Sequence, residues 1–328
     1  MERDPGLSIR PVTEPERARR AWLRPAGLLI LTLALSVSST GILVGIPFLA
    51  LAMVFGVRSF NTVAAAILAV MVSLGTVAGG GTWYLERGWT VVLAGWFVVV
   101  TMRWPSARFF PRALGAVLAT TALVSVLFVV QPGSWATIDW IVTEGVMRSV
   151  SLALGVLTGF SPEGAVPAEV VGRVFEAAAG QGRVFPALLG LSSLTGLAVA
   201  WWAYVRFAWG SDQGLAPLRD FRFNDDLVWL LVAGLALIVF SLGDGWTRAG
   251  TNAVVFMGAL YAVRGAAVLL FFKGSVTLLG FLLVLVGMLL FAPVILMGIL
   301  VIGVGDTWLD LRAKAAAISG TKTVERMD

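Results

Sequence analysis

From residue 25 onward the chain alternates long apolar runs with short polar stretches. A helix of about 20 apolar residues crosses the hydrocarbon core of a bilayer. The pattern therefore predicts an all-α, polytopic bundle of transmembrane helices. The first run, Pro25–Val57, is 33 residues long and holds Gly41, Gly45 and Pro47 near its middle. It reads as two short, closely apposed helices or one broken helix. Arg58–Asn61 is a polar turn, and Thr62–Gly80 is the next span, ending in Gly79-Gly80-Gly81. Trp83-Tyr84-Leu85-Glu86-Arg87 reads as a turn with interfacial aromatics. Gly88–Met102 is then a short span. The loop that follows carries Arg103, Arg108 and Arg112 without an acid, and Ala113–Val130 crosses again.

Residues 131–183 depart from this pattern. Asp139, Glu144, Glu163, Glu169 and Glu176 outnumber Arg148, Arg173 and Arg183 there, and Gly and Pro are frequent. Ile138–Phe160 reads as an amphipathic or weakly spanning helix, with Glu144 and Arg148 able to pair at i,i+4. Val166–Ala179 reads as a second, shorter amphipathic helix. The acidic excess places this insertion on the outer face, lying on the membrane or capping the bundle.

The second half resumes the apolar runs. Val184–Trp209 is a span that closes on Trp201, Trp202, Tyr204, Phe207 and Trp209. After a polar loop over 210–226, Leu227–Leu242 spans, Gly243–Arg248 is a tight outer loop, and Thr251–Phe272 spans with Arg264 inside it. Ser275–Val304 is 30 apolar residues, too long for one ordinary helix, and Pro293 is expected to divide it. Counting the broken runs as pairs gives about ten crossings, and as single helices about eight. Either count returns both ends to one side. The organisation is an Arg-rich tail over 1–24, transmembrane helices over 25–130, the acidic amphipathic insertion over 131–183, transmembrane helices over 184–304 and a second tail over 305–328. Arginines before the first run and Arg312, Lys314, Lys322 and Arg326 after the last put both tails in the cytoplasm. The basic start, apolar Ala26–Leu35 and Ser36-Val37-Ser38-Ser39 share the layout of a signal peptide. The run continues to Val57 without a polar mature start, which argues against cleavage.

Composition agrees with the pattern. Hydrophobic residues are 58% and charged residues 13% of the 328, against roughly 45–50% and 25% in soluble domains. So few charges could not cover a soluble exterior of this size. The chain has no Cys and no His. That excludes thiolate nucleophiles, disulfides, iron–sulfur clusters, histidine-ligated metals and Ser-His-Asp catalysis. The net charge of +5 comes from flanks and loops. No basic segment interleaves with aromatics as single-strand binders require. No P-loop, dinucleotide fingerprint, HExxH or GxSxG occurs in context, and no cofactor is expected.

Arg264 is the main candidate for a functional role. It lies in Tyr261-Ala262-Val263-Arg264-Gly265, nine residues before Lys273, about 13 Å at helical rise. A charge at the bilayer centre costs at least about 2.5–3.5 kcal/mol and by default faces the bundle interior. A ligand site for an anionic or polar group, snorkelling and a structural ion pair are all open to it. Arg264, Tyr261 and Asn252 form the candidate ligand-binding set, although Asn252 reads first as the cap that begins the same helix. Asp244 and Arg248 read as a solvated pair. Gly41/Gly45, Gly75/Gly79 and Gly155/Gly159 have small-xxx-small spacing, which is common in any bundle. Carboxylates deep in the spans are nearly absent, which weakens an ion-coupled transporter. Asp306 and Asp310 with Arg312 are the only compact carboxylate group, and they read as the end of the last helix.

From residue 218 the order of features is Phe221-Arg222-Phe223-Asn224-Asp225-Asp226-Leu227-Val228-Trp229, then Asn252, then Leu260-Tyr261-Ala262-Val263-Arg264-Gly265. A long apolar hairpin with Pro293 follows, and then Ile302-Gly303-Val304-Gly305-Asp306-Thr307-Trp308-Leu309-Asp310-Leu311-Arg312. Over these last 110 residues or so the chain resembles the YybS-like family of bacterial inner-membrane proteins, whose function is unassigned. The resemblance implies a multi-pass protein of the bacterial cytoplasmic membrane. It also implies a distant likeness to the substrate-binding membrane subunits of energy-coupling-factor vitamin transporters. The leading expectation is a non-enzymatic, transporter-like protein that binds a small solute. Its partners would be the lipid bilayer, that solute or other membrane subunits, and no nucleic acid. The alternative is a membrane scaffold or assembly factor that binds a protein partner or lipid, with Arg264 paired internally. An intramembrane lipid enzyme built on Asp306 and Asp310 ranks third.

Overall fold

Inside a bilayer every backbone N–H and C=O needs a partner within the protein, and a helix supplies it locally. The computed structural model describes residues 40–56, 81–131, 133–160, 167–206, 215–273 and 278–315. Of its residues 90% are helical, and no strand occurs among those described. The helices are α1 Thr40–Phe55, α2 Gly81–Arg103, α3 Phe109–Val130, α4 Gly133–Phe160, α5 Ala168–Arg183, α6 Phe185–Tyr204, α7 Val228–Val239, α8 Asp244–Lys273 and α9 Leu278–Leu309. Two single 3-10 turns, Leu218–Asp220 and Asp225–Leu227, precede α7.

Five of these helices are long and apolar enough to cross a membrane: Leu85–Arg103, Phe109–Val130, Phe185–Tyr204, Asp244–Lys273 and Leu290–Leu309. Large apolar side chains stand exposed along them, among them Val129 at 79% and Val294 at 71%. Water would penalise that surface and lipid does not. The protein is an all-α, multi-pass membrane protein. The larger count of eight to ten spans also drew on 25–39 and 62–80, which lie outside the described residues.

Several expected boundaries shift. Trp83–Arg87 is helical rather than a turn, because α2 starts at Gly81 and runs through to Arg103. The expected loop Gly243–Arg248 is helical from Asp244, with Gly243 alone taking a positive φ of 122°. Consequently Asn252 stands in the third turn of α8 and is not its cap. In the insertion, the helices begin at Gly133 and Ala168. The break expected near Pro293 is present, with non-helical φ −131° and ψ 31° at Phe291. Proline removes one helical hydrogen bond and crowds the preceding turn, which places the kink just before it.

The described residues form two units. The first holds α1, α2 and the half of α6 from Gly196. Here the helix expected to break at Gly41, Gly45 and Pro47 continues from Thr40 to Phe55 without interruption. Pro47 deprives the Leu43 carbonyl of its helical donor. Gly196 packs on that same carbonyl: a Cβ there would lie 2.9 Å from both Leu43 O and Leu43 Cβ. Leu51, Leu93, Phe97 and Leu197 are fully buried around this contact. The Tyr204 hydroxyl donates to Gly56 O at 3.0 Å, where Gly56, at φ 77°, closes α1.

The second unit holds α3, α4, α5, the first half of α6, and α7–α9. α8 is its central helix. α7 crosses it at Gly234 and Gly250, where a Cβ on Gly234 would come within 3.1 Å of Gly250 O. α9 crosses it at Gly265 and Gly303. A Cβ on Gly265 would fall on the Ile299 carbonyl, and one on Gly303 would fall on the Tyr261 carbonyl. Helices gain little from the hydrophobic effect in lipid, so such close backbone packing is a main source of association.

Candidate functional site

Arg264 lies at the α8–α9 crossing and is 2% exposed. Its Nε donates to Asp306 Oδ2 at 2.9 Å, Nη1 to Asp225 Oδ1 at 2.6 Å and Nη2 to the Asp306 carbonyl at 3.3 Å. Asp306 belongs to the last turn of α9, and its side chain is 0% exposed. The same Oδ2 accepts a second charged bond, 2.9 Å long, from Arg312 Nη2. Two guanidiniums thus share one buried carboxylate. Helix α9 ends at Leu309, and Asp310 takes φ 42°. Aspartate tolerates the left-handed region better than most residues. The turn it makes brings Arg312 back against Asp306. It also parts Asp310 from Asp306, since Asp310 pairs with Arg222.

A strap over residues 217–227 covers this cluster. Arg312 Nη1 donates to the carbonyls of Arg219, at 3.1 Å, and Phe221, at 3.0 Å. Phe223 is buried, lies 5.3 Å from the Arg264 guanidinium across its ring face and meets Tyr261 edge-on at 5.1 Å. Phe110 of α3 closes the aromatic group, 5.0 Å from Phe221. The strap ends in a 3-10 turn capped by Asn224, whose Oδ1 accepts from Asp226 N. The cap aims the neighbouring Asp225 at Arg264. Asp225 itself remains 60% exposed.

The candidate set is only partly brought together. Tyr261 is fully buried beside Arg264, one helical turn away. Asn252 is 12 residues from Arg264, about 18 Å along the helix. It serves a second polar cluster at the other end of α8. Its Oδ1 accepts from Ala187 N at 2.9 Å, in the unpaired first turn of α6, and its Nδ2 donates to Arg183 O at 3.0 Å, at the end of α5. Arg248 joins it. Its Nη2 donates to Asp139 at 2.5 Å and to Gly182 O at 3.2 Å, its Nε donates to Arg183 O, and Trp135 lies 5.1 Å away. Asp244, the partner expected for Arg248, is not the one it takes.

Sequence reasoning did not assign Asp225, Asp306 or Arg312 to Arg264. The available signal was charge balance, because a buried arginine calls for a buried carboxylate, and Asp306 directly follows the apolar stretch Ile299–Gly305. No known family, curated protein or solved structure matches the chain. Among the described residues no group of acids could hold a metal ion.

Proposed function

We propose that the protein is a membrane-embedded scaffold or assembly factor that holds a protein partner or lipid, without chemistry of its own. What supports this reading is the use already made of Arg264. All three of its donor nitrogens bond to groups of this chain, one of them a carboxylate with no exposed surface. A residue so occupied fixes helix positions, and with the strap in place it leaves little for a solute. On the same footing we place the protein in a bacterial cytoplasmic membrane with both tails in the cytoplasm, because of its Arg-rich flanks. The YybS-like assignment is likewise a proposal that rests on the motifs of the C-terminal third.

A solute-binding, transporter-like role is the second reading, and one observation favours it. One partner of Arg264, Asp225, is 60% exposed and sits on a strap rather than a helix. Native mass spectrometry with lipidomics of the protein and of Arg264→Leu, extracted gently from its own membrane, separates the two. A scaffold keeps the same protein partner in both forms while the variant loses stability. A small molecule held by the parent and lost from the variant would overturn the scaffold reading.

A further inference from the structure

We propose that the strap over 217–227 is a displaceable cover and that Arg264 and Arg312 beneath it form a phosphate site. The strap gives these guanidiniums three oxygens: the Asp225 carboxylate and the carbonyls of Arg219 and Phe221. Every one accepts from a terminal nitrogen, Nη1 of Arg264 or Nη1 of Arg312. The bonds that hold the arginines in place come from Asp306 on α9, and these do not involve the strap. Lifting the strap would therefore free one end of each guanidinium while the other end stays fixed. Two fixed guanidinium ends match the oxygens of a phosphate, a geometry lysine cannot supply.

Charge points the same way. Arg264, Arg312 and Asp306 are all at least nine-tenths buried and sum to one positive charge. The balancing anion, Asp225, is carried by the strap, is 60% exposed and bonds to Arg264 alone among the charged groups of the cluster. A second observation is independent of the strap's carboxylate. Arg312 is 6% exposed, and its Nε has no hydrogen-bond partner. The Tyr261 and Thr307 hydroxyls are likewise buried without a hydrogen-bond partner, beside one acceptor in the same state, Asp306 Oδ1. Donors are thus left over where the strap crosses the helix pair. The outer end of the strap is held by Arg222 to Asp310, an exposed pair.

The ligand chemistry is a phosphate group, carried by an anionic phospholipid or free in solution. The inference stands apart from the scaffold reading, because a headgroup here suits a scaffold and a free ion suits a carrier. The full-length protein is placed in nanodiscs, and binding is measured in two arms. One titrates inorganic phosphate into phosphatidylcholine discs. The other counts phosphatidylglycerol retained from mixed discs by native mass spectrometry. Asp225→Asn should tighten binding about fivefold, the upper range for an exposed ion pair. Arg222→Gln is the sharper variant. It removes a positive charge, so simple electrostatics predicts weaker phosphate binding, whereas release of the strap predicts tighter binding. Arg264→Lys, which keeps the charge and loses the fork, should weaken it. Tightening in the first arm names a free phosphate, and tightening in the second names a lipid headgroup. No binding in either arm, or Arg222→Gln that leaves affinity unchanged or lowers it, overturns the proposal.

Discussion

Asp306→Asn removes the negative charge from the centre of the cluster while keeping its shape. Its Oδ2 accepts from two arginines at 2.9 Å each, and the side chain has no exposed surface. Losing one partner of a buried ion pair costs about 3–5 kcal/mol, because the remaining charge is left without compensation. Here two guanidiniums lose that partner, Arg312 its only carboxylate among the described residues and Arg264 the buried one of two, so the variant belongs within that range. Asp225→Asn supplies the internal control. It also removes a carboxylate from Arg264, but one that is 60% exposed. Solvent screens such a pair to about 1 kcal/mol or less. Equilibrium unfolding in mixed micelles of mild detergent and increasing dodecyl sulfate, followed by tryptophan fluorescence, reads both variants on one scale. Asp306→Asn should cost at least three times as much as Asp225→Asn. Equal costs would refute the reasoning, since they would mean that burial of Asp306 does not govern the strength of its ion pairs.

Further outcomes follow from the packing. Gly303→Ala and Gly265→Ala should each destabilise by at least about 1–3 kcal/mol, because the added methyl meets backbone that cannot move aside. Gly298→Ala, on the open face of α9, should be neutral or slightly stabilising in the same unfolding assay. Arg248→Leu removes the bond to Asp139 and both bonds to the α5 end, so hydrogen exchange in α4 and α5 should quicken while α9 is unchanged. Gly196→Ala should separate α6 from the Leu43 carbonyl and cost more than Gly95→Ala, where a Cβ meets nothing within 4 Å.

The fold class was legible because solvent imposes it. Apolar runs of bilayer length leave the backbone no choice but helix, and the kink before Pro293 follows from one residue's missing N–H. Arg264 was legible as an anomaly for the same reason: a charge inside an apolar run has a cost that something must offset. What offsets it was not legible. Asp225 lies 39 residues before Arg264 and Asp306 42 residues after it. Periodicity along one helix says nothing about which residue of another helix arrives opposite. The reading of Asp306 and Asp310 as the end of the last helix agrees with α9, which stops at Leu309, and the left-handed turn at Asp310 keeps the two acids off one helix face. Of the glycines with small-xxx-small spacing, Gly75 and Gly79 lie outside the described residues. Within the described residues the close contacts fall at Gly265/Gly303 and Gly234/Gly250, between helices, whereas a Cβ on Gly155 would meet nothing within 4 Å. Spacing within one helix marks a permissive face, and the backbone of the neighbouring helix that arrives there turns it into a contact.

The two polar clusters together restrict which movements the second unit can make. Arg248 and Arg264 stand 16 residues apart on α8, about 24 Å along its axis. One ties α8 to α4 and α5, and the other ties it to α9. A slip of one helical turn, about 5.4 Å, would break both sets of bonds and bring the Gly265–Gly303 backbone contact out of register. Each set would have to be broken before any new one formed, in surroundings that penalise unpaired charge. Rocking or sliding of α8, as alternating access requires, therefore meets a barrier at both ends. Moving the strap breaks its hydrogen bonds to Nη1 of Arg264, Nη1 of Arg312 and the exposed Asp310, and withdraws Phe221 and Phe223 from Phe110, Tyr261 and Arg264. It leaves the Arg264–Asp306–Arg312 chain intact. The strap is thus the element whose displacement leaves the register of α8 against α4, α5 and α9 unchanged.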